Sequence, residues 1–164
     1  MCTPGLVDPH THLIFAGDRA DEVAARSRGE RYTGGGILRT VAATSEASDA
    51  ELVALTRKRL LRAQAMGTTT IEVKSGYGLE TEAELRLLRM IAEAAAPTRL
   101  RVLRTYLGAH AVPIGSTARQ QAAHEADFID VFCEPATFDL EMTREIARAG
   151  TSHGMALRLH ADQL

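Results

Sequence analysis

The sequence predicts an α/β fold, a partial TIM-like (β/α) barrel of about five parallel strands with crossover helices. Three observations carry this. Short β-branched or apolar runs alternate with longer stretches of helical periodicity, the pattern of parallel strands joined by crossover helices. The polar candidates His10, His12, Tyr77, His110 and His160 all fall at the C-terminal ends of those runs, where a (β/α) barrel gathers its catalytic groups. With 164 residues, 45% of them hydrophobic, the chain reads as a single domain over 1–164 with enough apolar surface for a core.

The first strand leads into Leu6-Val7-Asp8-Pro9-His10-Thr11-His12. Side chains alternate across an extended strand, so His10 and His12 project side by side with Asp8 behind them. Proline cannot donate to a sheet ladder, so Pro9 answers to something other than β propensity. Leu13 to Gly17 is apolar, and 18–31 is dense in arginine and acid among alanines, a short helix or an ordered loop. Gly34-Gly35-Gly36 then reads as a turn; neither GxxxxGK[ST] nor GxGxxG is present, which excludes a phosphate loop.

Ser48-Asp49-Ala50-Glu51 is a capping box opening a helix, with Leu52, Leu55, Leu60, Leu61 and Met66 as its buried stripe and Gly67 as its stop. Thr68 to Val73 is a buried strand ending in the glycine-flanked loop Lys74-Ser75-Gly76-Tyr77-Gly78. Thr81-Glu82-Ala83-Glu84 is a second capping box, and the helix it opens runs to Pro97. Leu100 to Leu107 forms the next strand and closes in Gly108-Ala109-His110, followed by a linker of weak helical character. Phe128 to Cys133 is a strand, Asp139 caps a helix running to Gly150, and Met155 to Leu164 is a fifth strand with His160 near its end.

Composition excludes several classes of function. The net charge is -2 with both signs interspersed, and there is no basic run of the kind nucleic-acid binding uses. The two cysteines, Cys2 and Cys133, are far apart and form no CxxC, which fits a reducing, cytoplasmic setting with Cys133 as a small buried apolar residue. No apolar run approaches the ~18 residues that span a bilayer, and the N-terminus has no secretory pattern. The expected partner is a small-molecule substrate, with no nucleic acid and no membrane. The open edge of a fifth strand leaves a homo-oligomer as a further expectation.

A catalytic zinc or iron takes a few nitrogen or carboxylate ligands and keeps one position open. His10, His12 and His160 supply three nitrogens. His110 stands beside them, either to orient substrate and stabilise a developing oxyanion or as a hydrogen-bonded structural histidine. Arg19 has the fork geometry to clamp a carboxylate, although spacing alone does not single it out among 19 lysines and arginines. Tyr77 either contacts substrate or packs. Glu72 and Lys74 share a strand face as an internal ion pair with no evident function, and His124 and His153 read as solvated.

Taken together, Pro4 to His12, Phe15-Ala16-Gly17-Asp18-Arg19, Glu72 to Gly78, Leu107-Gly108-Ala109-His110 and Leu159-His160-Ala161-Asp162-Gln163 resemble imidazolonepropionases, amidohydrolase-superfamily enzymes of histidine degradation. The resemblance implies metal-dependent hydrolysis of the cyclic amide of 4-imidazolone-5-propanoate to N-formimidoyl-L-glutamate on a TIM-like barrel, with one zinc or iron ion. Carried over by motif, His10, His12 and His160 become metal ligands. Arg19 meets the substrate propionate. Tyr32, Tyr77, His110 and Gln163 line the substrate pocket, with His110 as the catalytic candidate. Gln163 stands where some members have glutamate.

The chain also departs from the family. It starts almost at the first barrel strand and looks shortened after Tyr32 and again after Pro113. It stops after the fifth strand, before the family's later histidine and metal-binding aspartate. The expectation is an N-terminal part of a metal-dependent amidohydrolase barrel domain, with little hydrolase activity on its own because proton transfer lacks its acidic partner. Two alternatives stand beside it, a non-catalytic fragment and another cyclic-amide hydrolase or deaminase of the superfamily.

Overall fold

The computed structural model of the chain describes residues 2–30, 36–110, 126–134 and 137–161. Along the chain run strand β1 (Leu6–Asp8), helices α1 (Ala20–Ser27), α2 (Gly36–Glu46) and α3 (Asp49–Ala65), strand β2 (Thr68–Lys74), helix α4 (Thr81–Ala95), strands β3 (Arg101–Ala109) and β4 (Phe128–Cys133), helix α5 (Leu140–Ser152) and strand β5 (Ala156–Ala161). The strands form one all-parallel sheet in the order β1-β2-β3-β4-β5. It curls into the predicted partial barrel.

Alternation along the strands divides the sheet into two faces of different chemistry. Ile71 and Val73 of β2, with Ile129 and Val131 of β4, are buried on the outer face. Leu87, Leu88 and Ile91 of α4 and Leu52 and Leu60 of α3 are buried with the first three of these in one apolar cluster. The other parity of the same strands carries Glu72, Lys74 and Asp130, each 1% exposed. The inner face is therefore charged.

Local signals hold where the chemistry is local. Ser48 Oγ accepts from Glu51 N at the start of α3, and Asp139 accepts from Glu141 N and Met142 N at the start of α5. Gly67 closes α3 with φ +97°, a left-handed value that costs glycine little. The polar stretch after Gly17 resolves into the short helix α1, none of whose residues is buried.

Five readings need correction. The apolar stripe of α3 buries Leu52 and Leu60, with Leu55 partly buried, but leaves Leu61 and Met66 44% and 69% exposed, since Leu61 follows Leu60 around the helix and Met66 lies past its end. Helix α2 begins at Gly36, where a turn is expected; it buries Ile37, Thr40 and Thr44, and threonines on that stripe mask its periodicity. Thr81 does not cap α4: the N-cap is Glu80, without a side-chain bond, and Glu84 turns to the preceding loop instead. The ladder of β1 stops at Asp8, so His10 and His12 lie beyond the strand; Pro9 sits off the ladder, which resumes only where Lys74 N donates to Thr11 O at 2.9 Å. Cys133 is half-buried and free. His153 is solvated as expected, whereas Tyr32, the linker at 111–125 with His124, and Gln163 lie outside the described residues.

Candidate metal centre and substrate pocket

Four chain segments converge at the C-terminal end of the sheet. His10 and His12 arrive from the segment after β1, Tyr77 from the loop after β2, His110 from the end of β3 and His160 from β5. Ring centroids of His10 and His160 are 4.3 Å apart, those of His10 and His12 5.3 Å, and those of His12 and His160 5.5 Å. One nitrogen from each of the three lies within 4.8 Å of the others. Residues separated by about 150 positions have become one cluster.

The donor set suits a divalent ion. Metal ligation needs neutral imidazole, and burial, reinforced by neighbouring histidines, lowers the pKa of His10 and takes that of His12 to about 2. His12 Nε2 and His160 Nε2 face each other at 3.4 Å. Buried His12 Nδ1 has no partner among the described residues. The three nitrogens fit zinc or iron(II), which both accept imidazole.

His110 is buried beside this cluster. Its ring stacks on His12 at 5.0 Å and lies 5.2 Å from Tyr77. Nδ1 donates to Gly76 O at 2.7 Å; a carbonyl only accepts, so Nδ1 carries the proton and Nε2 keeps its lone pair. Burial, partly opposed by that carbonyl, lowers its pKa to about 4. In this neutral form Nε2 can accept a hydrogen bond from a ring N–H. It offers no proton to an oxyanion.

The loop bearing Tyr77 is set by Glu84. This fully buried carboxylate accepts from Gly76 N at 2.5 Å, Gly78 N at 2.8 Å and Leu79 N at 2.7 Å. Burial still raises its pKa, those bonds offsetting only part of the desolvation. Next to Phe15, the Arg59 guanidinium lies 3.6 Å from the ring centroid and donates to Leu13 O and Phe15 O, both at 2.7 Å. It pins the segment that joins His12 to Arg19.

The histidines line a cavity of about 150 Å³ that also includes Arg19 and Tyr77. Arg19, Tyr77 and His12 border a second cavity as well, of about 380 Å³, closed by Phe15, Val23 and Thr40. Arg19 Nη1 is buried with no partner among the described residues, and Nε lies 3.8 Å from Glu22 Oε2. A carboxylate entering between the cavities meets that free donor.

The structure thus brings together His10, His12, Arg19, Tyr77, His110 and His160. Sequence reasoning missed Ile37 and Phe132, which line the smaller cavity, and Asp130, which touches His160. Asp130 left one signal, a lone acid among Phe128, Ile129, Val131 and Phe132. The paired Glu72 and Lys74 are as expected, with Lys74 Nζ 2.7 Å from Glu72 Oε1.

No protein-family model matches the chain. Individual curated proteins match nearly all of it. An imidazolonepropionase of Halobacterium salinarum is 50% identical over 177 residues, covering 98% of this chain and 42% of the relative. Those of Salinispora arenicola and Shewanella baltica are 48% identical over 174 residues and 43% identical over 182, covering 98% and 99% of this chain and 43% and 45% of the relatives. The chain spans less than half the length of these relatives. Each matched span exceeds the 164 residues of this chain, so the relatives carry residues within it that this chain lacks, in keeping with the shortened segments.

Proposed function

Over nearly its whole length this chain belongs with the imidazolonepropionases, and we propose on that premise that its site serves the ring opening of 4-imidazolone-5-propanoate in histidine degradation. One observation carries the reading: three imidazole nitrogens within 4.8 Å of one another share a cavity with Arg19 and Tyr77. Water adds to the ring carbonyl carbon, the ring C–N bond breaks, and the departing nitrogen takes a proton, giving N-formimidoyl-L-glutamate.

His10, His12 and His160 are the residues to hold one zinc or iron ion. Such an ion, when bound, acidifies water and polarises a carbonyl oxygen. Arg19 pairs with the substrate propionate and so fixes the direction of the ring. Tyr77 packs beside the ring, and the family resemblance names Tyr32 and Gln163 as further substrate-binding candidates. His110 accepts a ring N–H at Nε2 and holds the reacting amide toward the cluster; it is the catalytic candidate because it touches the ring that opens. The reaction belongs to the cytoplasm. Among the described residues no helix is long and apolar enough to cross a membrane.

The test pairs metal analysis with ligand binding. Chain purified without added metal is expected to hold near-stoichiometric zinc or iron, lost in His10→Ala. Arg19→Met is expected to weaken binding of 4-imidazolone-5-propanoate by at least about tenfold, the cost of one charge-assisted pair. Sub-stoichiometric metal that the histidine substitution leaves unchanged overturns the assignment.

A further inference from the structure

Behind the histidines, on the inner face of the sheet, lies a group of charges to which the ring opening gives no task. Lys74 Nζ stands 2.7 Å from Glu72 Oε1 and 2.7 Å from Asp130 Oδ2. The same Asp130 oxygen is 2.8 Å from His160 Nδ1, an ion-pair distance whose approach lies off the line of a hydrogen bond. Arg158 Nε lies 3.2 Å from Glu72 Oε1, while Nη1 of that arginine donates to Pro9 O at 2.9 Å. Thr105 Oγ1 donates to Glu72 Oε1. Two carboxylates face two cations, so the group is balanced and offers no cation site of its own.

Stability does not account for it. Buried ion pairs replaced by apolar side chains of similar volume are often no less stable, and the outer face of the same strands already packs in that way. What distinguishes this group is where it ends. Asp130 pairs with Arg158 across β4 and β5, and Phe132 pairs with His160, so Asp130 is the diagonal neighbour of His160 on the inner face.

We propose that Asp130 is a positioning residue for this site: it holds the His160 imidazole as the Nδ1–H tautomer, with Nε2 turned toward His10 and His12. A carboxylate only accepts, so the nitrogen facing it carries the proton and the other keeps its lone pair. That other nitrogen is the one 3.4 Å from His12 Nε2. Lys74 braces Asp130 from the far side, and Glu72, held by Thr105 and Arg158, braces Lys74. A carboxylate behind a ligating histidine fixes ring orientation and raises the basicity of the ligating nitrogen.

The first measurement is the His160 tautomer, read from ¹⁵N shifts of the metal-free chain at about pH 8, above the ordinary histidine range. Loss of signals in His160→Gln assigns the resonance. The native chain is expected to show Nδ1–H, and Asp130→Ala to shift toward Nε2–H, a change that lost packing alone does not produce. Nε2–H in the native chain overturns the proposal, and so does an unchanged tautomer in a folded Asp130→Ala. Should that variant not fold, the native tautomer decides. The second measurement is zinc affinity by chelator competition, expected to fall about 10- to 100-fold in Asp130→Asn; an unchanged affinity also overturns the proposal. Only this second arm rests on reading the cluster as a metal site. If the native chain binds no zinc, that reading fails while the tautomer still decides the role of Asp130.

Discussion

His12 and His110 are neutral in the folded chain because burial penalises their charged forms, with the mutual proximity of the two rings adding to the effect at His12. The consequence is a stability that depends on pH. An unfolded histidine titrates near about 6.5, whereas the folded values are about 4 for His110 and about 2 for His12. Between those limits the unfolded chain binds more protons. The contribution is therefore fully present above about pH 6.5 and is lost as pH falls, through about 4 for His110 and further for His12. At about pH 5 each residue costs about 2 kcal/mol relative to neutral pH. Urea unfolding of the metal-stripped chain should show this as a lower midpoint at about pH 5 than at about pH 7.5, and His110→Gln should reduce the difference. A midpoint difference that His110→Gln leaves unchanged would contradict the neutral, buried state of that ring.

Single elements show where the sequence was readable and where it was not. The caps of α3 and α5 were legible because Ser48 and Asp139 bond amides two or three residues away, and a short window contains both partners. Helix α2 was hidden because Thr44 is placed to accept from Ala16 N at 3.2 Å, a partner 28 residues distant. Glu84 has the spacing of a capping box yet serves three amides of the loop before its helix; the pattern could not show which way the carboxylate turns. His10 and His12 announced themselves by their spacing. Asp130 did not, since its meaning depends on the register between β4 and β5. The loop held by Glu84 supports a prediction of its own. Gly76 has φ +104°, and a Cβ there would meet His110 Nδ1 at 2.9 Å; Gly154 has φ +81° and open space around it. Gly154→Ala carries only the backbone term, about 1 to 2 kcal/mol. Gly76→Ala should cost more and also disturb the His110–Gly76 bond, measured by denaturant midpoint together with the ¹⁵N shift of His110 Nδ1. Equal losses in the two variants would mean that the loop yields without crowding the ring.

At the scale of the molecule, the sheet has two outer edges. Among the described residues β1 pairs only with β2, and β5 only with β4. Both edge strands present apolar side chains to solvent, with Leu6 60%, Val7 64%, Leu157 42% and Leu159 53% exposed. Unpaired backbone groups flanked by apolar residues form a template for another strand; β5 carries no lysine and keeps an unbroken register with β4, whereas β1 shifts register between Leu6 and Val7. A second copy can satisfy both edges at once. We propose that two copies of this 164-residue chain meet with β5 of each against β1 of the other, a closed arrangement rather than an open filament. On that proposal the chain dimerises, the dimer fraction rising over roughly the micromolar to millimolar range in which exposed edges associate. Placing a charge on the β5 edge tests this without touching the site, because Leu157 and Leu159 alternate with the inward Arg158 and His160. Leu157→Lys combined with Leu159→Lys should leave the far-ultraviolet circular dichroism unchanged and convert the dimer to monomer in sedimentation velocity. A native chain that sediments as a monomer throughout that range, or a double variant that dimerises as the native chain does, would show that these edges are not what the molecule uses to associate.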